Sequence, residues 1–204
     1  MTSSAIAPNA QPEQYFLLPG CYAWQQFKAL QTSLGENKTL KIIYLDGRIE
    51  LMTTGEEHET ISRLISLLLG LYFWRKQIEF IPVGSATRES EEKGVSFAPD
   101  ESYYIGTQKE HPDLAIEVIV TSGNIGKLEK YKRFQVREVL LWKNGKISVY
   151  VLQDAQKSDR VQYALKNKSE LLPDLDLDLL VNCVLKPSKI EAMNEFLEAL
   201  NATL

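Results

Sequence analysis

The chain has 204 residues, 44% hydrophobic and 25% charged, with a formal net charge of −4. That composition is globular; it excludes a disordered chain and a membrane protein, and its acidic balance argues against a surface that binds nucleic acid indiscriminately. Cys21 and Cys183 lie far apart without CxxC spacing, so buried free thiols are expected rather than a disulfide or a zinc site.

The opening MTSSAIAPNAQPEQ has neither the basic start nor the apolar block of a secretory signal, and residues 1–18 read as a disordered tail. A single domain is expected over residues 19–204, in a cytoplasmic chain with no membrane partner. The most apolar window, Ile61 to Trp74, is too short to span a bilayer and is broken by Ser62, Arg63 and Ser66.

Tyr22 to Leu34 has helical spacing in Trp24, Phe27, Leu30 and Leu34. KIIYLDGRIELM follows, and its apolar halves flank Asp46-Gly47, which predicts a β-hairpin. In EEHETISRLISLLLGLYFWRK, Ile61, Leu64, Ile65, Leu68 and Tyr72 recur at three and four residues, the mark of a long buried helix. Ile78 to Tyr104 is strand-like, with the charged stretch Arg88–Lys93 expected as an exposed loop.

Pro112 opens DLAIEVIV, a continuous apolar run expected for a central strand covered on both faces, and Ser122-Gly123-Asn124 ends it. Gly126 to Phe134 predicts a short cationic helix, and REVLLW and KISVYVL form a second hairpin around Asn144-Gly145. The cationic residues from Lys127 to Lys146 read either as a solvated helix face plus a turn or as a phosphate-contacting face. A strand near Arg160–Leu165 and an irregular DLDLDLL stretch come next. A helix over 188–203 closes the chain, with Ser188 and Glu191 as a capping box.

Glu117 is the residue that asks for chemistry. An ionised carboxylate inside LAIEVIV is costly to bury unless it is paired or bound to metal. A salt bridge to a helix lysine would satisfy it, and so would an ion. Asp100 follows Pro99 at the expected end of a strand, and two carboxylates on neighbouring strands can converge on one hard cation such as Mg²⁺. Such a site activates water against a phosphodiester, with a nearby lysine stabilising the developing charge. GxGxxG, GxxxxGK[ST], HExxH and GxSxG are all absent.

PDESYY, HPDLAIEV and GKLEKYKRFQVREVLLW, with DGRIELM and EEH before them, resemble the Uma two family common in cyanobacteria, also called domain of unknown function 820. That family belongs to the PD-(D/E)xK nuclease superfamily. The resemblance runs from about Lys41 to Leu152. It implies an α/β fold, a restriction-endonuclease-like α/β/α core with a mixed sheet and an N-terminal β-hairpin. It implies catalytic residues Asp100, Glu117, Glu50, His58 and Lys127 or Lys130, with Mg²⁺ (or Mn²⁺) on Asp100, Glu117 and Glu50. DNA is the implied substrate, and a homodimer is expected by analogy. Ile119 stands where E-x-K would put lysine; in this family the following helix supplies it, at the position of Lys127, with Lys130 one turn on. The alternative is an inactive module of the same fold that binds nucleic acid or a protein partner.

Overall fold

The computed structural model describes residues 13–35, 40–120, 127–153 and 162–202, and of Lys127 only the backbone. Asp46 and Gly47 both take positive φ, 48° and 84°, as a two-residue turn between right-twisted strands requires. Around that turn β2 (Leu40–Leu45) pairs antiparallel with β3 (Arg48–Thr53). Residues 14–17, read from sequence as tail, instead form β1 (Gln14–Leu17) along the free edge of β3. On the other side β2 pairs with β6 (Val95–Phe97), and β6 with β5 (Arg88–Ser90). The stretch expected as an exposed loop thus begins with a strand, whose short charged sequence suits a sheet edge.

The second sheet has six strands in the order β11-β10-β9-β8-β7-β4. These are β4 (Phe80–Pro82), β7 (Glu101–Ile105), β8 (Leu114–Ile119), β9 (Glu138–Lys143), β10 (Lys146–Gln153) and β11 (Gln162–Lys166). Among the described strands only β8 and β9 run parallel, so the sheet is mixed as expected. Every residue of β8 is buried, which is why its sequence is apolar without alternation.

Alternate residues divide that burial. Leu114, Ile116 and Val118 join Ile65, Leu68 and Tyr72 of α2 (Glu56–Lys76) and residues of α4 (Leu177–Leu185) and α5 (Lys189–Ala202) in the larger core. Ala115, with Val139 of β9, faces Leu128, Tyr131 and Phe134 from α3 (Lys127–Arg133) and its C-terminal end, together with Ile43, Val95 and Phe97 of the five-stranded sheet. The layer opposite α2 is therefore helix and sheet together. On the outer face of the five-stranded sheet, Phe27 of α1 (Trp24–Leu34) packs on Tyr44 and Ile49.

Two further expectations change. DLDLDLL is not irregular: Asp176 accepts from the Leu179 N–H and caps α4. Cys183 is buried as expected, but Cys21 is exposed; both are free thiols. The break at residues 122–124 lies outside the described residues. Among those described, no helix is long and apolar enough to cross a membrane.

Candidate active site

Asp100 sits where the chain passes from β6, in one sheet, to β7, in the other. It precedes a strand rather than ending one. Glu101 pairs with Ile116, so one step further along the ladder Asp100 comes level with Glu117. The Val118 N–H donates to Asp100 Oδ2 at 2.6 Å. Residues across an antiparallel pair share a face, and here that face is the one turned to α3 and the five-stranded sheet. Both carboxylates are buried, Asp100 7% and Glu117 4% exposed.

Each carries its own cation. Lys130, one helical turn into α3, reaches Glu117 with Nζ 3.0 Å from Oε1 and 3.1 Å from Oε2. The Tyr131 hydroxyl donates to Glu117 Oε2. Lys130 also lies over the rings of Phe97 and Tyr131, 5.0 and 5.1 Å from their centroids, so its ammonium is held by charge and by aromatic faces. Burial, then the charges of Glu117 and Asp100, keep the Tyr131 hydroxyl far above the usual phenol range and so protonated.

Lys41 of β2 bonds Asp100 Oδ1. Burial opposes its charge, but Asp100, with Glu117 adding to it, raises the pKa of the ammonium. His58, in the first turn of α2, completes the array: Nε2 is 3.0 Å from Asp100 Oδ1 and Nδ1 is 2.8 Å from Glu13 Oε2. Burial disfavours the imidazolium, yet hydrogen bonds to the two carboxylates outweigh it and push His58 up to about 9. Burial alone would raise the Asp100 pKa; Lys41 and His58 reverse that and hold it well below the ordinary carboxylate range.

Glu50 lies across from Ile43. It accepts the Tyr15 hydroxyl; burial and then Glu50 hold that phenol well above its ordinary range, with Glu117 contributing. Among the described residues no three acidic, histidine or cysteine groups gather as a ready cation site. The donor chemistry nonetheless suits a hard cation. Two ionisable carboxylates stand side by side, and each of their oxygens has two lone pairs. The Val118 N–H takes one of these on Asp100 Oδ2, and Lys130 takes one on Glu117 Oε1. Beside Asp100 opens a cleft of about 700 Å³ lined by Lys41, Gly55, Glu59, Ser62 and Arg63 among others.

Of the residues picked out from sequence, Asp100, Glu117, His58 and Lys130 are brought together, with Glu50 at their edge. Lys127 begins α3, and its side chain lies outside the described residues. The basic stretch does not make one face: Lys130 is buried on Glu117, Lys132 pairs with Glu129, and Arg133 with Asp46 and Glu129. An ion pair with a helix lysine is what burial of Glu117 demands; a second carboxylate beside it is not. Sequence reading missed Lys41, Glu13, Tyr15 and Tyr131. Lys41 and Tyr131 carried a signal, since Lys41 is in phase with Ile43, and Tyr131 is the helical neighbour of Leu128 and Phe134; Glu13 and Tyr15 had none.

Residues 24–182 match the Uma2 family model, described as a putative restriction endonuclease. The chain belongs to the Uma2 family. A crystal structure of a putative nuclease of DUF820 from Anabaena variabilis is similar, with a TM-score of 0.50 and 16% identity over 84% of this chain and 97% of that one. At that identity the likeness speaks to the fold. No curated protein matches. The Uma2 assignment supports a nuclease-like function.

Proposed function

We propose that this Uma2 protein is a metal-dependent endonuclease that hydrolyses phosphodiester bonds of DNA. The observation that carries the reading is the pair of buried carboxylates, Asp100 and Glu117, level with each other and each matched to a lysine. Asp100 and Glu117 would hold Mg²⁺ or Mn²⁺, with Glu50 assisting. When bound, the ion supplies Lewis acidity and an activated water.

The chain's own groups set the geometry. The Val118 N–H fixes Asp100 Oδ2, and Lys41 and His58 fix Oδ1. Tyr131 and Lys130 orient Glu117. Lys130, or Lys127 in the same helix, would stabilise the charge on the scissile phosphate. His58 stays protonated and keeps Asp100 ionised.

Supercoiled plasmid with Mn²⁺ or Mg²⁺ tests this. Wild type should nick it, EDTA should stop the reaction, and Asp100→Asn should reduce cleavage to background. Equal cleavage by Asp100→Asn would remove the assignment. Nicked circles would mark one site acting alone, and direct linear product a homodimer cutting both strands.

One observation favours a second reading. Lys41 and Lys130 already balance the two carboxylates, and such a site stands without an ion. A non-catalytic module predicts no heat on calorimetric titration with Mn²⁺, in wild type and Glu117→Gln alike.

A further inference from the structure

We propose that the N-terminal segment is part of the site, with Glu13 acting through His58 to position Asp100. The inference rests on the nuclease reading for its consequence in catalysis, but not for its geometry. Glu13 is buried although it directly precedes an edge strand with exposed Phe16 and Leu17. Pairing of β1 with β3 sets its side, because Tyr15 stands across from Met52 and bonds Glu50 on the inner face, and Glu13 is in phase with Tyr15.

What it meets there is a ring nitrogen. His58 is 1% exposed, with Glu13 on Nδ1 at 2.8 Å and Asp100 on Nε2 at 3.0 Å. An imidazole is rigid and planar, so fixing one nitrogen fixes the direction of the other. Without Glu13 the ring is free to turn about its Cβ–Cγ bond. Nε2 then leaves Oδ1, and Asp100 keeps Lys41 and the Val118 N–H but loses the donor that sets its tilt. Carboxylates that orient a metal-ligating histidine are worth about 10- to 100-fold in affinity or activity, and the same scale is expected where the histidine orients a metal-holding carboxylate. Glu13 acts through His58 and is a positioning residue.

The Val118 amide reports the Asp100 carboxylate directly, whether or not the protein cleaves DNA. In ¹⁵N-labelled, metal-free protein, Glu13→Ala should shift the Val118 amide and the His58 ring signals, which are simple to assign in a chain with two histidines. It should lower kcat at least about tenfold with KM within about twofold. Glu13→Gln, whose amide oxygen still accepts from Nδ1–H, should restore most of both. Gln14→Ala, on the same strand but facing outward, should change neither. A folded Glu13→Ala protein with the Val118 amide in place and kcat intact overturns the proposal. If Glu13→Ala does not fold, Glu13→Asp, with its arm one methylene shorter, decides by the same amide, and an unmoved Val118 overturns it. A shifted amide in a protein that cleaves nothing at all upholds the brace and removes the nuclease reading instead.

Discussion

Glu117 and Glu138 are both buried glutamates, on the adjacent parallel strands β8 and β9, yet they are held by different kinds of donor. Glu138 is fully buried and accepts the Ser169 hydroxyl, the Glu170 N–H at 2.8 Å and the Leu171 N–H at 3.3 Å. Neutral donors from one turn tie that turn to the sheet. Glu117 faces the opposite side and takes a lysine, a tyrosine and a second carboxylate as neighbours. Burial of a carboxylate therefore marks a cost and not a task; the donors and the neighbouring charges tell the two apart.

The largest expected effects test that difference directly. Glu117→Ala strands Lys130 as a buried cation and should cost about 3–5 kcal/mol in urea unfolding. Glu138→Ala leaves the hydroxyl and the amides unpaired and should cost about 1–3 kcal/mol. The isosteric Glu117→Gln should abolish DNA cleavage in protein that still folds, while Glu138→Ala keeps full cleavage per folded molecule. Comparable loss of activity in both would break the comparison.

Acidity sharpens it next. The pKa of His58 is raised from its usual 6.5 to about 9, so its contribution to stability is fully present below the unfolded value and lost as pH rises through the folded one. Asp100 is depressed, so its contribution is present above the ordinary carboxylate value and lost only as pH falls through the lower folded one. Between pH 6.5 and 9, metal-free protein in EDTA should therefore lose roughly 3 kcal/mol. His58→Asn should flatten that slope and Glu138→Gln should leave it unchanged. A slope that survives His58→Asn would mean that another group titrates there.

What was legible in the sequence follows the same division. Asp46-Gly47 and Asn144-Gly145 announced their hairpins because positive φ at both turn residues leaves few other choices. The long α2 was plain from its apolar spacing. Strand β5 was hidden because three residues on a sheet edge need no apolar pattern, and α4 because the alternating Asp and Leu of its approach mask the Leu177, Leu180, Val184 spacing. In the site, Asp100 and Glu117 could be named from type and order, and His58 and Lys130 only through the resemblance to the Uma2 family. Tyr15 and Glu13 could not, since only strand register turns them inward, and the phase of Lys41 with Ile43 told its face but not its partner.

Glu50 tests the comparison at its weakest point, because it is a third carboxylate near the pair but held by a phenol rather than a cation. Tyr15→Phe removes one hydrogen bond in a partly exposed setting and should cost only about 1 kcal/mol. Glu50 then loses that donor. If Glu50 assists the ion, Mn²⁺ should bind Tyr15→Phe at least as tightly as wild type, and Glu50→Gln more weakly than either. If the Tyr15 bond is instead what aims Glu50 at the site, Tyr15→Phe and Glu50→Gln should lose affinity together, and Glu50 would belong with Glu117, as a carboxylate whose donor fixes its task.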